Sequence, residues 1–150
     1  MKYKFFFYGT LSHEMANPVS KTIHRKLKGG EAAHVIGRLF AIPHSEGYYP
    51  ALVLGDTGYR VSGYLYEANK DFSFKDLEML DEYEEFYPDD VDGSEYVRRA
   101  VWVTLGHSYG VTCDAYVYNG ELPADADEIP SGEFASFMKE HGFQAFGDGT

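Results

Sequence analysis

The sequence predicts an α+β fold, rich in strands and poor in helices, and three observations predict it. Phe5-Phe6-Phe7-Tyr8 is a continuous aromatic run, the pattern of a strand covered on both faces. Residues 32–68 and 96–118 carry strand-like patterning broken by Gly-containing turns. Sustained helical periodicity is confined to about Phe74–Glu85 and about Gly132–Glu140.

Along the chain, the first strand spans residues 3–9 and stops at Gly9. A short basic stretch follows, with Lys21, His24, Arg25, Lys26 and Lys28; Ile23 and Leu27 are one helical turn apart, and Gly29-Gly30 closes it. Val35 to Ile42, Tyr48 to Leu54 and Tyr59 to Tyr66 read as strands, with turns at Ser45-Glu46-Gly47 and Gly55-Asp56-Thr57-Gly58. Gly63, inside the third of these, marks a bulge or a close backbone approach. Ser73-Phe74-Lys75-Asp76 has the form of a capping box and opens the helix expected to end near Glu85. Tyr96–Leu105 and Val111–Tyr118 read as a hairpin across residues 106–110. The Gly-rich tail after the last helix is expected to fray.

The chain has 150 residues, one domain's length, with no internal repeat, and folding at that size buries about 70% of the unfolded surface. Aromatic residues at 17% exclude a low-complexity chain. A net charge of −11 repels phosphate backbones and anionic bilayers, so neither nucleic acid nor membrane is an expected partner. No run approaches the roughly 20 apolar residues of a membrane span, and the N-terminal run is too short for a signal peptide's core, so a cytoplasmic location is expected. Cys113 is the single cysteine and sits in a strand pattern, where it reads as a small buried hydrophobe.

Candidate chemistry concentrates in three places. On a helical wheel centred on Leu77, Glu84 falls within about 20° of the middle of the apolar stripe and Asp81 within about 40°. A carboxylate there is costly unless paired, hydrogen-bonded or protonated. Either the helix has ended by Glu84 and its side chain turns to water, or Glu84 is a carboxylate of raised pKa in a pocket, suited to general acid/base work. The second place is Tyr8-Gly9-Thr10-Leu11, directly after the first strand. Its backbone N–H groups can hold a carboxylate or oxyanion, or it is an ordinary strand-ending turn. The third is Tyr96-Val97-Arg98-Arg99 opposite Tyr116 and Tyr118, where the tyrosines line a pocket or fill the core, and Arg98 neutralises a buried carboxylate or lies on the surface.

Other patterns fail on inspection. The six histidines have no metal-ligand spacing. Asp90-Val91-Asp92-Gly93 hints at a calcium loop, but the register puts Pro88 and Arg99 at its end positions. Ser12-His13-Glu14 are sequence neighbours, a poor arrangement for a triad. Most of the acidic residues between Asp71 and Glu95 read as a solvated face.

Together these segments resemble the gamma-glutamylcyclotransferase-like family. Phe7-Tyr8-Gly9-Thr10-Leu11 is similar to its opening Y-G-[ST]-L signature, Leu80-Asp81-Glu82-Tyr83-Glu84 to its L-D-x-x-E element and Tyr96-Val97-Arg98 to its Y-x-R. Gly37, Tyr49-Pro50-Ala51, Gly63-Tyr64-Leu65-Tyr66 and Ser131-Gly132 fall where such proteins carry similar residues. The resemblance spans nearly the whole chain. It implies a small mixed β-barrel with helices packed outside it, Glu84 as general base/acid at the barrel mouth, and Tyr8, Gly9, Thr10 and Leu11 as the loop cradling a gamma-glutamyl group. Tyr118 matches a tyrosine of the family's late strand and is expected to bind substrate. The implied reaction is attack of a gamma-glutamyl amide's α-amine on its own γ-carbonyl, releasing 5-oxoproline and an amine, with no metal and no cofactor. A non-catalytic small-molecule-binding module of the same fold is the alternative; the carboxylate at Glu84 argues against it. The segment from Glu85 to Glu95 is longer and more acidic than the family's usual link. Either it lies near the pocket and favours a cationic leaving group, or it points away and its acids only keep the protein soluble.

Overall fold

The aromatic run at the start of the chain lies at the centre of the sheet. Among the described residues the elements are, in order, β1 (Lys4–Phe7), α1 (Pro18–His24), β2 (Leu27–His44), β3 (Gly47–Leu54), β4 (Arg60–Ala68), α2 (Phe74–Tyr83), β5 (Tyr96–Leu105), β6 (Tyr109–Tyr118), β7 (Asp127–Glu128) and α3 (Phe134–His141). The structure, a computed structural model, describes residues 3–13, 17–44, 47–55, 59–106 and 109–141. The expectations for Glu14, for the turn residues 45–46, 56–58 and 107–108, and for the tail after His141 lie outside the described residues.

Five strands close into a mixed barrel in the order β2-β4-β1-β6-β5, with β5 returning to β2 through Ala33↔Leu105 and His34↔Thr104. β1 runs antiparallel to β4 and parallel to β6. Closure leaves these strands without a free edge. β2 is 18 residues long because it serves two sheets. Leu27–Ile36 pairs with β4 inside the barrel, and Gly37–His44 runs on to carry β3, with β7 added at Phe40 and Ala41.

Strand alternation divides the core. Phe6 and Tyr8 pack with Val35, Val61, Val103 and, from α3, Phe134 and Phe137. Phe5 and Phe7 point the other way, into a cluster with Leu11, Ile23 of α1 and Leu77 and Leu80 of α2. Phe5 and Phe6 are fully buried, each worth about 1.5–3 kcal/mol of apolar transfer. Gly63 is the close approach expected of it: a Cβ there would meet the Phe7 carbonyl oxygen at 2.5 Å and the Phe6 ring at 2.8 Å.

β1 is shorter than the expected 3–9, and three further differences change the reading. Gly29-Gly30 does not close the basic stretch; both residues lie inside β2 at φ +98°, where the register with β4 slips. The short helix expected across Ile23 and Leu27 is present but ends at His24, so Leu27 opens β2 instead of closing the helix. The third difference, the end of α2, bears on the site. No helix among the described residues is long and apolar enough to cross a membrane.

Candidate active site

α2 starts as its sequence dictates: the Asp76 carboxylate accepts the Ser73 N–H at 2.8 Å and pairs with Lys26 at 3.2 Å. It stops at Tyr83, not near Glu85. Phe86 N–H donates to the Asp81 carbonyl at 2.8 Å and Glu85 N–H to the Glu82 carbonyl at 3.1 Å, the bond pair of a Schellman turn. Glu85 occupies the left-handed position, φ +53°, where glycine is usual. Glu84 is thus the C-cap. The helix has ended, yet the side chain does not leave for bulk water. It lines a cavity of about 180 Å³ together with Tyr8, Gly9, Thr10, Leu11, Tyr49, Pro50, Tyr83, Glu85, Glu95, Tyr96 and Tyr116. A second hollow, about 370 Å³, shares Phe7, Tyr8 and Gly9 with it but does not include Glu84.

The environment of Glu84 favours its neutral form. Burial in this aromatic wall raises its pKa, the nearby Glu95 carboxylate raises it further, and the result is about 8. Among the described residues no cation or hydrogen-bond donor meets the Glu84 carboxylate. The surrounding phenols stay protonated: burial, then the field of Glu84, pushes Tyr8 up; burial, then Tyr8 and Glu84, pushes Tyr96 up. Their hydroxyls are committed to the backbone behind them, Tyr8 to the Tyr116 carbonyl at 2.5 Å and Tyr96 to the Pro50 carbonyl at 2.6 Å. Tyr49 is raised as well, by burial first and then by its hydrogen bond to Glu95.

The wall facing Glu84 is the loop after β1. The carbonyl groups of Gly9 to Ser12 are all engaged. Gly9 C=O accepts Ser12 N–H at 3.0 Å, Thr10 C=O accepts the Asn17 amide at 2.5 Å, Leu11 C=O meets His24 Nε2 at 2.7 Å and Ser12 C=O accepts the Ser20 hydroxyl at 3.0 Å. The Thr10 hydroxyl accepts from Tyr83 at 2.8 Å. Gly9 is required by packing: a Cβ there would overlap the Pro50 ring. Its replacement would disrupt the loop before any ligand arrives.

Asp81, the other inward carboxylate, is paired. Arg98 Nε donates to it at 2.9 Å and the Tyr116 hydroxyl at 2.6 Å, and the guanidinium lies over Phe86 at 5.7 Å. Arg98 therefore neutralises a buried carboxylate, one of its two expected roles, and locks the end of α2 to β5 and β6. Cys113 is buried and its thiol is pushed up to about 12, mainly by burial, so it behaves as the small hydrophobe expected.

The structure thus brings together Glu84, Tyr8, Gly9, Thr10 and Leu11, and with them Tyr96 and Tyr116. Tyr118 is not among the residues lining the cavity; its ring stands edge-on to Tyr96 at 5.4 Å. Position along the strand, and not alternation, accounts for this. Tyr118 shares a face with Tyr116 but lies at the end of β6. Of the acidic segment, Glu85 and Glu95 line the cavity, while Asp89, Asp90 and Asp92 are exposed. Tyr49 and Tyr83 enter the sequence reading only inside segments of the resemblance, Tyr49-Pro50-Ala51 and Leu80–Glu84, without a site role; the fold brings one from β3 and the other from the last turn of α2 to the cavity.

The gamma-glutamyl cyclotransferase, AIG2-like family profile matches residues 5–136. The chain belongs to that family. No curated protein matches it in sequence. Among solved structures, an AIG2-like protein from Mus musculus is similar over 81% of this chain and 80% of its own, at 22% identity and a TM-score of 0.57. A gamma-glutamyl cyclotransferase matches over 95% and 81%, at 20% identity and a TM-score of 0.58. Allophanate hydrolase from Kluyveromyces lactis matches 94% of this chain with 22% of its own length, at 13% identity and a TM-score of 0.68. At these identities the likeness is one of fold: the mixed barrel with outer helices is the family's architecture.

Proposed function

We propose that this member of the family is a cyclotransferase that cleaves a gamma-glutamyl amide, with Glu84 as general base and then general acid. Family membership supports cyclotransferase-type chemistry, and the observation that carries the finer reading is the Glu84 carboxylate. It meets no cation or hydrogen-bond donor among the described residues and lines the same cavity as the Tyr8–Leu11 loop.

The chemistry follows from the proton inventory. The substrate's α-amine arrives as an ammonium, which cannot attack. Glu84 takes its proton; raised to about 8, the carboxyl is far better matched to an α-ammonium than a carboxylate at its ordinary value would be. The nitrogen attacks the γ-carbonyl carbon, a C–N bond forms and the carbonyl oxygen becomes an oxyanion. Backbone N–H groups of the Tyr8–Leu11 loop are suited to hold that charge or the substrate carboxylate. The bond from the γ-carbon to the leaving nitrogen then breaks as Glu84 gives its proton to that nitrogen; the ring nitrogen, cationic after its attack, hands its second proton to the freed Glu84 carboxylate, and from there it passes to the released amine, which leaves as an ammonium. The products are 5-oxoproline and an amine, with no water consumed. Because nucleophile and carbonyl belong to one molecule, the protein supplies orientation, a proton shuttle and an oxyanion site.

The test is incubation with a panel of gamma-glutamyl amides and measurement of 5-oxoproline, for the wild type and for Glu84→Gln. Release by the wild type and its loss in the variant are expected. A wild type that forms no 5-oxoproline from any amide overturns the reading.

A further inference from the structure

We infer that Asn17 is a positioning residue of the binding loop, holding the Thr10–Leu11 peptide so that its N–H, and not its carbonyl, faces the cavity. The inference rests on the cyclotransferase reading and adds a residue from outside the cavity wall. Asn17 is 1% exposed and uses both ends of its amide. Its Oδ1 accepts Ser20 N–H at 2.8 Å, as the N-cap of α1. Its Nδ2 donates to the Thr10 carbonyl at 2.5 Å.

Only the first bond belongs to capping. Serine or aspartate would cap α1 about as well, because a cap needs an acceptor alone. The donor is the feature specific to asparagine, and it is directed at the loop. In a trans peptide the C=O and the following N–H point in opposite directions. Holding the Thr10 oxygen on Asn17 therefore directs Leu11 N–H away from α1. Thr10 and Leu11 border the cavity and Asn17 does not. A flipped peptide would present a carbonyl oxygen where the carboxylate or oxyanion of a gamma-glutamyl group has to sit, turning attraction into repulsion. His24 and Ser20, on the same helix, hold the next two carbonyl groups, so α1 acts as a rack of donors behind the loop.

The two bonds of Asn17 are separable by substitution. Asn17→Ser retains a cap acceptor and loses the donor; Asn17→Ala loses both. The expected result for Asn17→Ser is a Tm within a few degrees of wild type and a kcat/KM lower by tenfold or more, mostly through KM, on the gamma-glutamyl amide the wild type cleaves best. Its affinity for 5-oxoproline, a carboxylate probe, should fall in parallel by calorimetry. Asn17→Ala should lose more Tm without a much larger loss in kcat/KM. A measurement on the wild type does not depend on any variant folding: the Leu11 amide resonance should shift downfield as 5-oxoproline is added. An active wild type with unchanged KM in Asn17→Ser, or with a Leu11 amide indifferent to 5-oxoproline, overturns the inference alone. A wild type that makes no 5-oxoproline overturns the cyclotransferase reading and this inference with it.

Discussion

Asp81 and Glu84 stand three residues apart at the end of α2, the first buried and the second half-buried at the cavity, and they differ in what surrounds them. Asp81 meets a guanidinium and a phenol, which supply charge and hydrogen bonds in place of water. Glu84 meets neither among the described residues; its surroundings are tyrosines already committed elsewhere and a like charge at Glu95. The first carboxylate is spent on holding the helix to the barrel. The second is left able to exchange a proton near neutral pH. One turn of helix thus separates a structural anion from a chemical one, and the Schellman turn at Glu85 is what brings the second to the cavity.

The largest expected effect tests that division directly. Glu84→Gln keeps size and polarity but removes the proton shuttle, so kcat for 5-oxoproline release should fall by about 10²–10⁴ with the fold intact by circular dichroism. Near-normal turnover would remove Glu84 from the mechanism. Asp81→Asn should do the reverse. It leaves Arg98 without its main partner, and unfolding titrations should show a loss of about 3–4 kcal/mol. A stable Asp81→Asn variant would mean that the ion pair is not what anchors α2.

Stability against pH separates the two carboxylates further. Below about pH 4.5 Glu84 is protonated in both folded and unfolded chains and contributes nothing. As pH rises from 4.5 to about 8 the unfolded chain releases a proton that the native state keeps, so the wild type loses stability through that window. Glu84→Gln lacks this loss. It should match the wild type at pH 4 and exceed it by several kcal/mol at pH 9, read as a higher Tm. Equal melting at pH 9 would show that the carboxylate is solvated after all.

The turn between helix and acidic segment gives a smaller effect. Glu85→Gly relieves a left-handed non-glycine residue and should stabilise by about 1 kcal/mol. An unchanged or lower midpoint in denaturant would mean that contacts of the Glu85 side chain offset the strain. The smallest effect is long-range. Glu95→Gln removes the like charge that raises Glu84, so the acid limb of the kcat/KM profile should move to lower pH. The same change should shrink a preference of about tenfold for a gamma-glutamyl-diamine over gamma-glutamyl-alanine at low salt. No such preference in the wild type would leave the acidic rim without a part in recognition.

Much of this was written locally. The aromatic run could only be a covered strand, Ser73 and Asp76 fixed the start of α2, and two tyrosine-bearing strands at hairpin spacing paired over their full length from Tyr96↔Tyr118 to Leu105↔Tyr109. The wheel placed Glu84 inward for the wrong reason. It assumed a helix that continues, whereas the helix stops one residue earlier and a turn carries the side chain to the same side. Periodicity cannot foresee a Schellman turn whose left-handed residue is glutamate, because the usual signal is glycine.

The sequence by itself determined which segments are strands and helices, that Cys113 would be inert, and which short motifs lie at the cavity: Tyr8–Leu11 and Glu84. These depend on neighbours within a few residues, where backbone sterics and apolar patterning act. The tertiary structure alone decided that β2 would serve both the barrel and its extension, that Gly9 must be glycine because of Pro50, that Tyr49 and Tyr83 would complete the cavity, and that Tyr118 would stand behind Tyr96. It also decided the fates of two carboxylates on one helix. A pKa is set by burial and by charges within a few ångströms, and those neighbours, Arg98 for Asp81 and Glu95 for Glu84, come from residues that the chain brings back only after the acidic segment has closed.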